Sequence, residues 1–218
     1  MGIFARRGRL LSAGLVAGAG LLAGGLMVGS GVGTPATAQN APAMPSAGAF
    51  TVDPVHTSVV FRVKHMNVAY FWGTFDKAAG SFLIDPANPD KSTIDLTIQA
   101  GSVDSNNPDR DKHLLGPDFF SAKEFPTITF NSGKLTKASG GENLFDLAGD
   151  LTFRGVTKPV AVRLEFTGQG PGREPGSTLQ GFEARFTIKR TDFGNTYLVG
   201  KGLSDEIDLV VAVEGVRK

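Results

Sequence analysis

The residues of this chain best equipped for chemistry lie in one short run, RDKHLLGPDFF, Arg110 to Phe120, where two cations, two carboxylates and a histidine sit against two leucines and two phenylalanines. A metal site is the first chemistry to weigh. The only histidines are His56, His65 and His113. If His56 and His65 share one extended strand, their odd spacing puts them on opposite faces, some 30 Å apart at about 3.3 Å per residue, too far to chelate one ion. Neither an HExxH pair nor an EF-hand loop occurs, so no metal is expected, and both residues read as strand-end hydrogen-bonding groups. Catalysis is the second. There is no GxSxG and no cysteine, so the familiar nucleophile settings are missing. On a helix Asp111 and His113 would not face each other, whereas Asp109 and His113, four apart, could pair and form the best general-base candidate. A surface ion pair beside a helix cap explains them more simply, and no catalytic residue is assigned. The third chemistry is the rim of an apolar hole. Leu114, Leu115, Phe119 and Phe120 have few neighbours in sequence to bury them, so they either edge a cavity or plug a solid core.

The elements that position this run are strands. Val59, Phe61 and Val63 alternate with polar or outward residues, as do Ile94, Leu96 and Ile98, then Val160 to Phe166, Phe182 to Ile188 and Ile207 to Val213. This period of two marks half-buried strands. Shorter stretches at Phe82–Ile84, Thr127–Phe130, Leu144–Ala148 and Leu151–Arg154 fit as further strands, giving about eight or nine. Each has one apolar and one polar face, which points to an all-β antiparallel fold, either a sandwich or a barrel. Asn107-Pro108 is a helix start, with Asp109 and Asp111 suited to the positive N-terminal end. A short helix is therefore expected at Pro108–Leu115, inside a helical insert spanning about 108–124, with Gly116-Pro117 ending it and Asp118 capping a further turn. Gly168 to Gly176 reads as a flexible hairpin loop, since no GxGxxG stands between a strand and a helix there.

Sixteen phenylalanines against one Trp and two Tyr supply rings for burial. The formal charge of +1 provides no field to draw in nucleic acid, which is not expected as a partner. At the N-terminus, Arg6, Arg7 and Arg9 precede a long uncharged run, and Ala36-Thr37-Ala38 offers a small-x-small cleavage pattern. Residues 1–38 are read as an export signal, through the general or the twin-arginine route, rather than a retained anchor. Residues 39–49, rich in Ala and Pro, read as a disordered lead, and 50–218 as one folded domain.

Five stretches then carry a resemblance: VDPVHTSVVFRVKH (Val52 to His65), GTF (Gly73 to Phe75), RDKHLLGPDFFSAKEFPTITF (Arg110 to Phe130), GDLTFRGVTKPV (Gly149 to Val160) and GFEARFTIKRTDFG (Gly181 to Gly194). Together they resemble the YceI-like family over essentially the whole domain. The resemblance implies a lipocalin-like antiparallel barrel of about eight strands, exported to the periplasm, binding a long isoprenoid-type lipid, a polyprenyl phosphate or a quinone-like molecule, with no other cofactor. Thr57 stands where the family usually has Ser, and Asn67 to Trp72 depart from its common run; both bear on the mouth rather than the fold. On this reading Phe61, Val63, Phe82, Leu96, Ile98, Phe130, Phe153, Leu164, Phe182 and Phe186 line the lipid tunnel with Leu114, Leu115, Phe119 and Phe120 at its rim. Arg110, Asp111 and His113 orient the polar end. Transient membrane contact and a homodimer are compatible with it. Two alternatives stand beside the carrier: an enzyme acting on such a lipid through Asp109 and His113, or a protein-binding barrel with a filled core.

Overall fold

The computed structural model describes residues 48–218. The expected export segment and the lead up to residue 47 lie outside the described residues. Gly48, assigned to that lead, is held by the barrel, its carbonyl accepting from Arg217 Nη1 at 3.2 Å.

Eleven strands form one antiparallel sheet: β1 Phe50–Val52, β2 Ser58–His65, β3 Ala69–Phe75, β4 Ala78–Leu83, β5 Thr93–Gln99, β6 Val103–Asp104, β7 Thr127–Lys137, β8 Leu144–Phe153, β9 Val156–Pro171, β10 Thr178–Lys189 and β11 Leu203–Arg217. The only α-helix among the described residues, α1 Pro108–Leu114, lies between β6 and β7. The sheet closes as a ring of eight, β1-β4-β5-β7-β8-β9-β10-β11, because β1 pairs with both β4 and β11. The other three strands extend staves of this ring. β11 pairs with β1 near its C-terminal end and with β2 over Leu203–Ala212; β3 and β6 then continue from β2. The staves break at Asp53–Thr57, Asp76–Lys77 and Ala100–Ser102, which explains how an expected eight becomes eleven. In the other direction, the two strands expected at Leu144–Ala148 and Leu151–Arg154 run together as β8, whose Gly149 and Asp150 stay in register with β9. The hairpin loop expected at Gly168–Gly176 is shorter, since Gly168 and Gly170 remain in β9 and pair with β10.

Inward residues divide the barrel along its axis. At the end where β1 closes the ring, Phe50, Phe82, Phe145 and Leu164 are fully buried and fill the lumen. Phe50 stacks on Phe82 at 5.9 Å, and Phe82 meets Phe182 edge-on at 5.0 Å. Gln180 lies inside this plug. Its amide donates to the Ile84 carbonyl at 2.9 Å and accepts from the Ile84 N–H at 2.8 Å, so a polar side chain is buried with its groups satisfied. The same end is clasped outside. Thr57 Oγ1 donates to the Asp53 carbonyl at 2.8 Å, Asp53 N–H donates to the Glu214 carbonyl at 2.8 Å, and His56 Nδ1 lies 2.9 Å from the Asp53 carboxylate.

Glycine makes room for one inward ring on the neighbouring strand. Gly73 lies directly opposite Phe61 across the β2–β3 ladder, and a Cβ there would sit 2.3 Å from the ring. Gly73→Ala is therefore expected to lower unfolding free energy by about 1–3 kcal/mol through overpacking. Gly101→Ala, where a Cβ meets nothing within 4 Å, should not lower it; urea midpoints check both.

The Asp53–His56 clasp predicts a pH signature. The hydrogen bond to His56 is the largest influence holding the Asp53 carboxyl below its ordinary 3.8, and the same bond leads in holding His56 protonated above its ordinary 6.5. Both charges thus stabilise the fold fully between about pH 4 and 6.5. The gain is lost as pH falls through the lowered Asp53 value or rises through the raised His56 value. The Tm difference between wild type and His56→Ala should be greatest inside that window and narrow on both sides, as measured by thermal melts across pH.

Candidate functional site

The RDKHLLGPDFF run begins as expected. Asn107 Oδ1 accepts from Arg110 N–H at 2.9 Å, Pro108 occupies the first helical turn, and acidic residues come next. The helix ends at Leu114, with Leu115 N–H donating to the Asp111 carbonyl at 3.0 Å. Beyond it the insert consists of turns rather than the expected second helical turn. Asp118 does not cap; it accepts a hydrogen bond from, or ion-pairs with, His113 Nε2 at 3.0 Å. The anticipated Asp109–His113 pair is therefore replaced by His113–Asp118, because the turn after Gly116 brings Asp118 back beside the helix. The His113 ring also packs edge-on against Phe119 at 5.0 Å and Tyr197 at 5.5 Å.

Asp111, assigned to the head-group end, is engaged elsewhere. It accepts from the N–H of buried Ser105 at 2.8 Å and from the Ser105 hydroxyl. Arg110 Nε donates to the same hydroxyl at 2.8 Å, and its Nη2 to the Ser105 carbonyl. Asp111 thus anchors the helix to β6 and does not line the cavity, while Arg110 does, with its guanidinium 3.9 Å over the Phe71 ring. That contact covers the part of β3 where the ladder to β6, paired at Thr74 and Phe75, has stopped. Two further side chains tether the insert. Arg154 Nη1 donates to the Pro117 carbonyl at 2.9 Å and to that of Phe119, and Asn195 Nδ2 donates to the Phe119 carbonyl at 3.2 Å.

Between insert and plug lies a cavity of about 520 Å³, within the range of small-molecule sites. Of the expected lining, Phe61, Val63, Leu96, Ile98, Leu114, Phe119, Phe120, Phe130, Phe153, Phe182 and Phe186 face it, as do Arg110 and His113. Three expectations need correction. Phe82 and Leu164 belong to the plug, because alternation reports which face points inward but not how far along the axis a residue lies. Leu115, one position past the last helical residue, turns away from the cavity.

The segment joining β10 to β11 supplies wall residues that sequence reasoning missed: Arg190, Asn195, Tyr197, Leu198 and Lys201. One of them carried a signal. The inward positions Phe182, Ala184, Phe186 and Ile188 extrapolate in steps of two to Arg190, which is 3% exposed. The β2–β3 turn completes the mouth. Met66 and Asn67 have φ of 52° and 58°, the conformation of a two-residue hairpin turn, normally taken by Gly or Asn. Met66 holds it with its N–H bonded to the Gly202 carbonyl at 2.6 Å. The tip is apolar and in water, Met66 being 58% and Val68 85% exposed. Tyr70 and Trp72 are also exposed on the outer wall, packed around Arg62, where polar residues alone were expected.

Asp53, His56 and Glu214 are the one group among the described residues with His and carboxylate ligand atoms within 4.8 Å of one another. They sit eleven residues along β11 from Leu203, roughly 35 Å from the mouth, and serve as the outer clasp of the plugged end.

Among solved structures, Burkholderia cenocepacia BcnA superposes with a TM-score of 0.67 at 27% identity, over 75% of this chain and 99% of that one. A polyisoprenoid binding domain from Saccharophagus degradans matches at TM-score 0.55 and 14% identity, over 76% and 96% of the two chains, a likeness of fold alone. In sequence, a UPF0312 protein of Azotobacter vinelandii is 39% identical over 164 residues, 75% of this chain and 83% of the relative. The model of the YceI-like domain matches residues 50–215, from the first strand of the ring almost to the end of the last, and the chain belongs to the YceI-like family.

Proposed function

We propose that this protein is a periplasmic carrier that holds a long isoprenoid-type lipid, with its tail in the barrel and its polar end at the mouth. The observation that carries this reading is the cavity: a hollow of about 520 Å³, walled by Phe, Leu, Ile and Val side chains, floored by a phenylalanine plug and bordered by cationic residues. The Saccharophagus domain named for polyisoprenoid binding has the same fold, and the basic, uncharged and small-residue order of residues 1–38 favours export. A binding role accords better with the site than an enzymatic one, since His113 is paired with Asp118 beside a ring cluster rather than with Asp109. A protein-binding barrel with a solid core fits less well, because the lumen is filled at one end only. The exposed apolar tip at Met66 and Val68, beside the mouth residue Lys201, suits brief contact with a bilayer during exchange.

Energetics assign selectivity chiefly to the tail. Burying a methylene contributes about 0.8 kcal/mol, so a five-carbon unit contributes roughly 3 to 4, against about 0.5 to 1.5 for a neutral hydrogen bond. Native mass spectrometry of protein purified from its export compartment should show a co-purified lipid. Ala184→Phe, which narrows the bore from a wall position, should remove far more of that lipid than His113→Ala. The opposite ranking would put selectivity in the head group.

The insert is the part of the mouth suited to open. From Asn107 to Phe125 it contributes no strand to the sheet and is held by Ser105, Arg154 and Asn195. Hydrogen exchange should find it the least protected segment of the barrel domain without lipid and clearly slower with lipid. Equal protection in both states would remove its gating role.

A further inference from the structure

Arg190 has an unusual environment for a cation. The residue is 3% exposed and lies in the cavity wall. Nε donates to the Ser204 carbonyl at 2.9 Å, and Nη1 to Asn195 Oδ1 at 2.9 Å. Nη2 has no partner; it is the one buried side-chain nitrogen or oxygen among the described residues without a hydrogen bond. Leaving a charged donor dry and unpaired is among the costlier features a fold can carry, so such a group calls for a ligand.

The surrounding charges do not supply one. Asp205 is the carboxylate whose field reaches Arg190, yet it already accepts from Thr191 N–H at 3.0 Å and Thr191 Oγ1 at 2.8 Å. Burial lowers the Arg190 pKa and Asp205 partly restores it; an arginine remains charged in either case. The whole cavity wall contains Arg110, Arg190 and Lys201 and no Asp or Glu. Arg110 is committed to Ser105 through two of its nitrogens, and Lys201 is exposed. Arg190 is thus the buried positive charge with an unused donor.

We propose that Arg190 is the internal anchor for the ligand head, and that the cavity selects amphiphilic anions, hydrocarbon chains ending in a phosphate or carboxylate, over neutral lipids of the same length. The inference rests on the carrier reading and narrows it: the tail supplies most of the affinity, while the Arg190 guanidinium supplies the positive charge that pairs with the head oxygen. Sequence alone pointed to Arg110, Asp111 and His113 for the head; Arg190 offers a different anchor, on the wall that the β10–β11 segment supplies.

The test offers delipidated protein an equimolar mixture of geranylgeranyl phosphate and geranylgeraniol, which share a tail, and reads the bound ratio by native mass spectrometry. Wild type should prefer the phosphate by roughly 10- to 100-fold. Arg190→Gln should bring the ratio close to one, and Arg190→Lys should keep part of the preference. A wild type without preference, or a preference that survives Arg190→Gln, overturns the assignment. Uptake of neither lipid by wild type would instead overturn the carrier reading itself. Should Arg190→Gln fail to fold, ionic strength decides on wild type alone: a preference set by a buried charge persists from 0.05 to 0.5 M salt, roughly the range over which exposed cations are screened. Loss of the preference over that range would transfer it to Lys201 and Arg110 at the rim and overturn the role of Arg190.

Discussion

The barrel depends on a three-residue strand. β1 joins β4 to β11 through two residue pairs on each side, and without it the inner faces of the other strands would border an open seam. Its brevity also decides how the remaining edge is covered. β11 is fifteen residues long, so most of that edge is left to β2, which leads on to β3 and the two-residue β6. At the β1 end Phe50 and Phe82, partners on neighbouring strands, and the ring of Phe182 close the lumen. At the other end the β3–β6 ladder stops after two pairs, and Arg110 of α1 lies over the next stretch of β3 at Phe71. Closure and mouth are thus consequences of one mismatch in strand length.

The same division separates stability from binding. The plug of Phe50, Phe82, Phe145 and Leu164 removes large apolar surfaces from water, the main source of folding free energy. The hollow half forgoes such contacts, and its walls are steadied from elsewhere: by Phe61 lying over Gly73, by Arg62 bridging Asp208 at 2.7 Å on the outer wall, and by Ser105 tying α1 to β6. Burial raises the Asp208 carboxyl, yet the hydrogen bonds from Arg62 and Thr187 and the Arg62 charge hold it below its ordinary range. A barrel solid at both ends would be more stable and hold nothing.

Much of this was legible in the sequence. The two-residue period names the inward faces of β2, β5, β9, β10 and β11, and Asn107-Pro108 marks the start of α1 to the residue. Axial depth was not legible, since it depends on register between strands distant in the chain: Phe82 pairs with the plug residue Phe50, although its own pattern matches that of Leu96. Partner choice was also hidden. Helical spacing favoured Asp109 for His113, but the chain reversal after Gly116 delivers Asp118 instead. The β10–β11 segment has no strand or helix periodicity, so its contribution to the wall came only with coordinates, Arg190 excepted.

Asn195 links two functions of the mouth. It is 3% exposed, and its amide has one possible orientation: arginine can only donate, so Oδ1 faces Arg190 Nη1 and Nδ2 faces the Phe119 carbonyl. The carbonyl that Asn195 holds is also the one gripped by Arg154, and it belongs to the residue whose ring packs on His113 and Tyr197. A single side chain therefore joins the buried guanidinium to the cover of the cavity.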